Sequence, residues 1–109
     1  MRTGKATTDA LNELRDIKRN MLPQLASRNR EPRYNRDWSD ALECETGVPV
    51  LEAALISAIG RTGSIGAHQR RDLPGSKASL THGIVRREGA ALAWRSQPVA
   101  FPLFAPPAA

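Results

Sequence analysis

The sequence predicts a mainly α-helical domain, a small bundle of two to three helices with a C-terminal β-hairpin and an extended proline-rich tail. Two long segments carry apolar residues at helical spacing, and the last third of the chain alternates short apolar runs with glycine and proline. A chain of 109 residues is enough for one domain with a modest core. We expect a helical region over 1–74 and a hairpin with its tail over 75–109.

The first helix is predicted from about Asp9 to about Leu22. Typical N-cap residues stand at its start, namely Thr7, Thr8 and Asp9. The segment that follows has apolar residues at steps of three and four: Leu11, Leu14, Ile17, Met21 and Leu25. Because Pro23 removes a backbone donor, we expect the helix to end or kink there. Residues 27–35 have no apolar period and are predicted to form a loop.

The second helix is predicted over 37–60, with Asn35 or Asp37 as its N-cap. Its apolar stripe keeps one phase across Gly47 and Pro49, so we expect one kinked helix rather than two unrelated helices. The stripe consists of Ala41, Cys44, Val48, Leu51, Leu55 and Ala58. Such a stripe packs against a partner surface, either within the chain or on another molecule.

A hairpin is predicted from residues 81–86 and 91–95, with Gly89 at the bend. An isolated hairpin is only marginally stable in water, so we expect it to lie on the helices or on a partner. The tail over 98–109 has four prolines and two phenylalanines. It should be extended, with Phe101 and Phe104 in contact with an apolar surface.

The positive charge of the chain lies in its second half. Residues 1–60 carry nine Lys or Arg and nine Asp or Glu, whereas residues 61–109 carry seven and two, which accounts for the net charge of +5. Two interpretations stay open: a solvated basic surface, or a small adaptor that binds an acidic partner or nucleic acid through Arg61–Arg95. The segment 27–40 also combines arginines with Tyr34 and Trp38, but its net charge is only +1.

The cysteine content and the apolar segments of the sequence predict the cellular location. The single cysteine, Cys44, rules out an internal disulfide and is compatible with a reducing compartment. The N-terminus lacks the apolar centre of a secretion signal, and no run reaches the roughly 18 apolar residues that a membrane span needs. We therefore expect a cytoplasmic protein without direct membrane insertion.

Catalytic and metal-binding patterns are weak. Ser64, His68 and Asp72 are spaced four apart in the order of a hydrolytic triad, but Thr62 occupies the position of the first glycine of a nucleophile elbow. The cysteine and histidines have no zinc spacing, so we expect no metal site. Arg70 and Arg71 beside His68 form a candidate anion-binding site, unless Asp72 pairs with one of the arginines.

Glycine spacing also argues against a nucleotide site in this chain. Gly60, Gly63 and Gly66 recur at steps of three and do not spell the G-x-G-x-x-G loop that follows a strand. Each glycine costs a helix about 1 kcal/mol relative to alanine, so the second helix is expected to fray near Arg61.

Residues 61–74 read RTGSIGAHQRRDLP. This segment resembles a signature, R-x-E-S-R-G-A-H-x-R-x-D-x-P, of the C-terminal region of the succinate dehydrogenase and fumarate reductase flavoprotein subunits. It matches at Arg61, Ser64, Gly66, Ala67, His68, Arg70, Asp72 and Pro74. It departs at Gly63, where the family has glutamate, and at Ile65, where the family has arginine. Further similarity covers roughly residues 8–109.

The resemblance implies a small helical domain with a hairpin, packed on the FAD-binding domain and near the iron–sulfur subunit. The FAD-linking histidine, the dinucleotide loop and the catalytic arginine lie in earlier domains of that family. It therefore implies FAD in a partner chain and no catalytic residue here. The chain would be a docking part of an oxidoreductase complex in the cytoplasm or at the cytoplasmic face of a membrane, not an enzyme by itself. Its docking residues would be Arg61, Ser64, Gly66, Ala67, His68, Arg70 and Asp72.

Overall fold

The computed structural model describes residues 2–74 and 80–104. Its regular elements are two α-helices, α1 (Gly4–Asp16) and α2 (Arg36–Gly60), and two strands, β1 (Thr81–Glu88) and β2 (Ala91–Pro98). The predicted combination of a helical region and a C-terminal hairpin is thus confirmed, with two α-helices in the described part of the chain. Residues 99–104 of the predicted tail form neither helix nor strand, and 105–109 lie outside the described residues.

The start of α1 differs from the prediction, which placed the N-cap at Thr7–Asp9. The cap is Thr3, whose hydroxyl oxygen accepts a hydrogen bond from the Ala6 amide at 3.2 Å. The hydroxyls of Thr7 and Thr8 instead donate to carbonyls four residues earlier, at 2.9 Å each. Threonine in a helix can make either bond, so residue type alone did not locate the cap.

The end of α1 changes geometry before Pro23. The α-helix stops at Asp16, a π-helical turn covers Ile17–Met21, and a 3₁₀ turn covers Leu22–Gln24. The prediction is therefore correct in that the chain stays helical to about Leu22. It is wrong in that the α-helix itself ends at Asp16. Proline has no amide proton to donate, which ends the hydrogen-bond ladder at this point.

Helix α2 is a single helix of 25 residues that includes Pro49, as the unbroken apolar stripe predicted. Its N-cap is Asn35, one of the two predicted candidates, whose Oδ1 accepts from the Trp38 amide at 3.0 Å. The helix ends at Gly60, where fraying was expected.

The contact between α1 and α2 combines a small apolar core with a buried charge. Leu11 and Leu14 are the buried hydrophobic residues among those described, at 6% and 7% exposure. Glu52 of α2 is equally buried, and its two carboxylate oxygens accept from Arg15 Nε at 3.1 Å and Lys18 Nζ at 2.7 Å. These hydrogen bonds, led by that from Lys18, lower the pKa of Glu52. The carboxylate thus ties α2 to α1 and to the π turn.

The hairpin packs on the C-terminal end of α2 through Trp94. Strands β1 and β2 are antiparallel with Val85 opposite Trp94, and the bend has Gly89 at φ +62°. The Trp94 indole lies so close to Gly60 that a β-carbon there would come within 2.5 Å of the ring. The hairpin therefore lies on the helices, the first of the two placements expected from its marginal stability.

The molecule is elongated, measuring 61 × 34 × 27 Å with a radius of gyration of 18.6 Å. A compact domain of this size has a radius of gyration of about 13 Å. Large apolar side chains accordingly stay exposed along both helices, including Met21 at 64%, Val50 at 70% and Leu51 at 50%. The apolar stripe of α2 is therefore only partly covered within this chain.

We predict that Gly60→Ala destabilises the fold by about 1–3 kcal/mol, because the new methyl group would overlap the Trp94 ring. Gly47→Ala is the matched control, since it lies in the same helix and a β-carbon there meets nothing within 4 Å. It should stabilise α2 by up to about 1 kcal/mol. Urea unfolding of both variants measures the difference. Equal midpoints for the two variants would contradict the packing of Trp94 on Gly60.

Candidate functional site

The segment 61–74, hereafter the signature loop, folds around one tight turn. Ile65 and His68 exchange two backbone hydrogen bonds of 2.9 and 3.0 Å. Gly66 lies inside this turn at φ +54°, a conformation that glycine adopts without steric cost. The turn exposes Ile65, Gly66 and Ala67 at the surface.

Two acceptors fix the path of the chain on either side of the turn. The Ser64 hydroxyl oxygen accepts from the Arg70 amide at 2.9 Å. The Arg61 carbonyl lies 3.3 Å from His68 Nε2 and accepts from Arg70 Nη1 at 3.4 Å. Contacts inside the loop thus account for the spacing of four signature residues, Arg61, Ser64, His68 and Arg70.

Asp72 joins the signature loop to the start of α1. Its Oδ1 accepts from Arg70 Nε at 2.9 Å, and its Oδ2 accepts from Arg70 Nη2 at 2.7 Å and from the Gly4 amide at 2.8 Å. The bidentate pair is the stronger form of a carboxylate–arginine contact, and the Gly4 amide is an unpaired donor of the helix N-terminus. Arg70 first and Gly4 second hold the pKa of Asp72 far below its usual range.

The N-terminal segment adds a short backbone ladder to the same junction. The Arg2 amide donates to the Gln69 carbonyl at 3.0 Å, and the Arg71 amide donates to the Arg2 carbonyl at 2.8 Å. Residues 2–4 and 69–72 are therefore held together by backbone bonds and by the Asp72 carboxylate.

The structure brings the predicted signature residues into one loop but does not assemble a triad from them. Ser64, His68 and Asp72 do not share a helix face, because 61–74 is not helical. Each of the three has its own partner, respectively the Arg70 amide, the Arg61 carbonyl and the Arg70 guanidinium. The spacing of four residues was thus misleading, since it has meaning only on a continuous helix.

The predicted anion-binding pair divides into two different environments. Arg70 has a side chain only 8% exposed and already pairs with Asp72, the alternative that the sequence left open. Arg71 is exposed at the surface. An anion-binding role for these residues remains a prediction, and Arg71 is the more accessible member of the pair.

The glycines of this region do not fit a FAD site. Gly60 ends a helix, and Gly63 and Gly66 follow it in the signature loop, whereas a dinucleotide loop connects a strand to a helix. Among residues 2–74 and 80–104, no group of three His, Cys, Asp or Glu side chains is placed to hold a metal ion.

An open apolar groove, hereafter the central groove, runs between the π and 3₁₀ turns and the middle of α2. It has a volume of about 580 Å³. Its lining residues are Ile17, Met21, Leu22, Gln24, Leu25, Cys44, Gly47, Val48 and Leu51. The stripe on each helix was predicted, but the groove was not, because it arises from how the two helices are placed.

Two further residues that organise the structure were missed by the sequence analysis. Glu52 stands as a lone carboxylate within an apolar run, and Arg15 and Lys18 follow each other at a helical step of three. That combination was a usable signal for a buried ion pair. No sequence pattern near Trp94 predicted its role, because its position over Gly60 depends on how the hairpin packs on α2.

We predict that Asp72→Asn lowers the melting temperature at pH 7, because the carboxylate binds Arg70 and Gly4 only when it is ionised. The folded-state pKa of Asp72 lies below its ordinary value of 3.8. Its contribution is therefore fully present above that pH and is lost as the pH falls toward the folded-state pKa. The difference in melting temperature between Asp72→Asn and wild type should therefore be smaller at pH 2.5 than at pH 7.

Asp40→Asn is the control, since Asp40 has a side chain 62% exposed and lies 3.9 Å from Arg36. Thermal unfolding followed by circular dichroism measures all three proteins at both pH values. A gap between Asp72→Asn and wild type that does not change with pH would show that the ionised carboxylate is not what holds the junction.

Comparison with known proteins adds the family. The model of a protein family, described as fumarate reductase flavoprotein C-term, matches residues 1–108, almost the full length of the chain. Searches of curated proteins and of solved structures find no match. The matched range includes α1, α2, the signature loop and the hairpin. The chain therefore belongs to the family of fumarate reductase and succinate dehydrogenase flavoprotein C-terminal domains.

Proposed function

We propose that this chain is a docking module of an FAD-dependent oxidoreductase complex, seated on a separate FAD-binding flavoprotein chain. The proposal rests on the small hydrophobic core of this chain, which belongs to a family of flavoprotein C-terminal domains. Only Leu11 and Leu14 are buried hydrophobic residues in the part that the structure describes, while the central groove stays open. A surface of this kind is completed by a partner protein.

The central groove supports the proposal through the free energy that its burial would release. Burying a leucine or methionine side chain is worth about 1.5–3 kcal/mol. Met21 and Leu51 are each at least half exposed in the groove, and Ile17 and Leu25 are exposed at 37% and 43%. A protein surface that covers these four side chains would gain several kilocalories per mole before the cost of association.

The signature loop supplies a second contact in this proposal. Its backbone is fixed by internal hydrogen bonds, so its exposed turn can bind without much loss of conformational entropy. The family's arginine at the turn is replaced by Ile65, which is 49% exposed. We expect this turn to meet an apolar patch on the partner, with Arg61, Ser64, His68, Arg70 and Asp72 holding its shape.

The FAD in this proposal is carried by the partner chain, since the described glycines do not fit a dinucleotide site. The module supplies no group to the reaction and acts by completing the fold of the flavoprotein. Contact with an iron–sulfur subunit is the finer part of the proposal. No helix among the described residues is long and apolar enough to cross a membrane. We place the complex in the cytoplasm or at the cytoplasmic face of a membrane.

Co-expression with an FAD-binding flavoprotein chain from the same genome that lacks its own C-terminal domain tests the proposal. We expect the tagged module to purify with that chain and with a flavin absorbance spectrum. Leu51→Asp should lower the affinity at least tenfold, because it places a charge in the central groove. Val50→Asp is the matched control, since Val50 is the adjacent, more exposed residue and does not line the groove.

Two outcomes would contradict the docking proposal. One is a colourless module that purifies without the flavoprotein chain under conditions in which both are folded. The other is an equal loss of affinity for Leu51→Asp and Val50→Asp, which would mean that the central groove is not the contact.

A second candidate function is the basic adaptor, supported by four exposed arginines in the second half of the chain: Arg71, Arg86, Arg87 and Arg95. Under this alternative the module binds single-stranded RNA with an affinity that falls steeply as salt rises. Arg86→Ala combined with Arg71→Ala should then weaken binding and flatten the salt dependence. Fluorescence anisotropy at two salt concentrations measures both effects. Affinity that does not respond to salt would exclude this alternative.

A further inference from the structure

The segment before α2 presents two aromatic side chains to solvent. Tyr34 is fully exposed, and its backbone has φ +53°, a conformation that is rare for a bulky residue. Trp38 lies in the first turn of α2 and is 57% exposed. Strain of this kind persists only where neighbouring contacts fix the backbone. We refer to Pro32, Tyr34 and Trp38 as the aromatic ledge.

Hydrogen bonds from two asparagines fix the backbone of the ledge. Asn35 Nδ2 donates to the Asn29 carbonyl at 2.7 Å, while Asn35 Oδ1 accepts from the Trp38 amide at 3.0 Å. Asn29 Oδ1 accepts from the Glu31 amide at 2.9 Å, and the Ser27 hydroxyl donates to the Asn29 carbonyl at 2.7 Å. The exposed position of Tyr34 and Trp38 is therefore built into the loop.

Trp38 lines two neighbouring grooves. The first, of about 550 Å³, is lined by Tyr34, Arg36 and Glu43 among others, and the second, of about 420 Å³, by Asn29, Arg30 and Pro32 among others. Aromatic side chains beside shallow grooves bind proline-rich segments through apolar contact with proline rings and neighbouring side chains. Nucleic acid fits less well, because residues 27–40 carry a net charge of only +1.

A segment with the complementary chemistry lies at the other end of the chain. Residues 98–104 read PVAFPLF. Leu103 and Phe104 are 85% and 86% exposed, and Phe101 is 44% exposed. We refer to Phe101–Phe104 as the apolar tail. Solvent exposure of two phenylalanines and a leucine within four residues is unusual for a chain that acts alone.

The apolar tail does not cover the ledge of its own chain, since Tyr34, Leu103 and Phe104 are each more than 80% exposed. The chain that leads to the tail leaves β2 at Pro98, which pairs with Thr81, and Thr81 lines the same cavity as Gly60 at the C-terminal end of α2. Trp38 lies 22 residues earlier in α2, about 33 Å along the helix axis at 1.5 Å per residue. Phe101 extends at most about 10 Å from Pro98, and Phe104 about 20 Å. The ledge and the point where the chain leaves β2 thus lie near opposite ends of α2, which favours a contact with a second molecule.

We propose that the apolar tail of one copy of this chain binds the aromatic ledge of a second copy, and that the exchange is reciprocal. Because the two surfaces lie at opposite ends of α2, two copies with antiparallel helices make the contact twice around a two-fold axis. Burial of the two phenylalanines, Leu103, Tyr34 and Trp38 at both contacts reaches about 1,000 Å², the lower limit of a specific interface. The dimer does not use the central groove, so it is compatible with docking on a flavoprotein chain.

The association state of the full chain tests this dimer independently of any flavoprotein partner. Sedimentation velocity should show a monomer–dimer equilibrium with a Kd of about 1–100 µM. Trp38→Ser, and separately Phe101→Ser with Phe104→Ser, should each weaken dimerisation at least tenfold. Val50→Ser and Leu80→Ser are the controls, because both residues are exposed and lie outside the two surfaces. Circular dichroism verifies that each variant is folded.

Mixing the two defective proteins distinguishes this exchange from any other apolar contact. The Trp38→Ser protein keeps its tail and the tail variant keeps its ledge, so one of the two contacts survives in the mixture. The emission of the mixture should be shifted to the blue relative to the sum of the two separate spectra, because both proteins contain Trp94 and only Trp38 of the tail variant enters the contact. The proposal is wrong if the wild-type chain stays monomeric, if the controls weaken dimerisation equally, or if the mixture shows no shift. Tight binding of single-stranded RNA that depends on Trp38, without dimerisation, would also overturn it.

Discussion

The carboxylate of Asp72 is the contact on which the arrangement of the helical region depends. It binds Arg70 through both oxygens and reaches across 68 residues of sequence to the first amide of α1. A carboxylate at a helix N-terminus satisfies an unpaired amide and opposes the positive end of the helix dipole. One side chain thus fixes both the shape of the signature loop and the position of α1.

The fold compensates for a thin core with polar contacts of this kind. Glu52 is as buried as Leu11 and Leu14, and it pairs with two cations whose own side chains are 45% and 40% exposed. An ion pair so close to water gives less stability than the same buried area of leucine, but it fixes geometry, because both oxygens have a defined partner. The two hydrogen bonds of Glu52 therefore fix α2 relative to α1 and the π turn, beside the open central groove. In the docking proposal, another chain supplies the rest of this core.

Local patterns allowed α2 and the hairpin to be predicted, and they failed where distant residues decide the structure. The phase of the apolar stripe in α2 outweighed Gly47 and Pro49, and Gly89 located the bend, because both signals act within a few residues. The cap at Thr3 was missed since Thr7 and Thr8 carry the same hydroxyl. The helix starts after Thr3 because Asp72, 68 residues away in sequence, binds the amide of Gly4. The signature residues were found from their sequence pattern, but their pairing required the loop geometry.

Helix α2 sets the distances between the surfaces that the proposals use. The aromatic ledge lies at its N-terminal end, the central groove along Cys44–Leu51, and the signature loop directly after Gly60. Since Pro49 does not interrupt the helix, these three surfaces cannot move independently along its axis. A flavoprotein chain that covers the central groove and the signature loop would span the C-terminal two thirds of α2 and leave the ledge free. In the two proposals, α2 thus carries the docking surfaces toward its C-terminal end and the ledge at its N-terminal end, which leaves the ledge available to the apolar tail of a second copy.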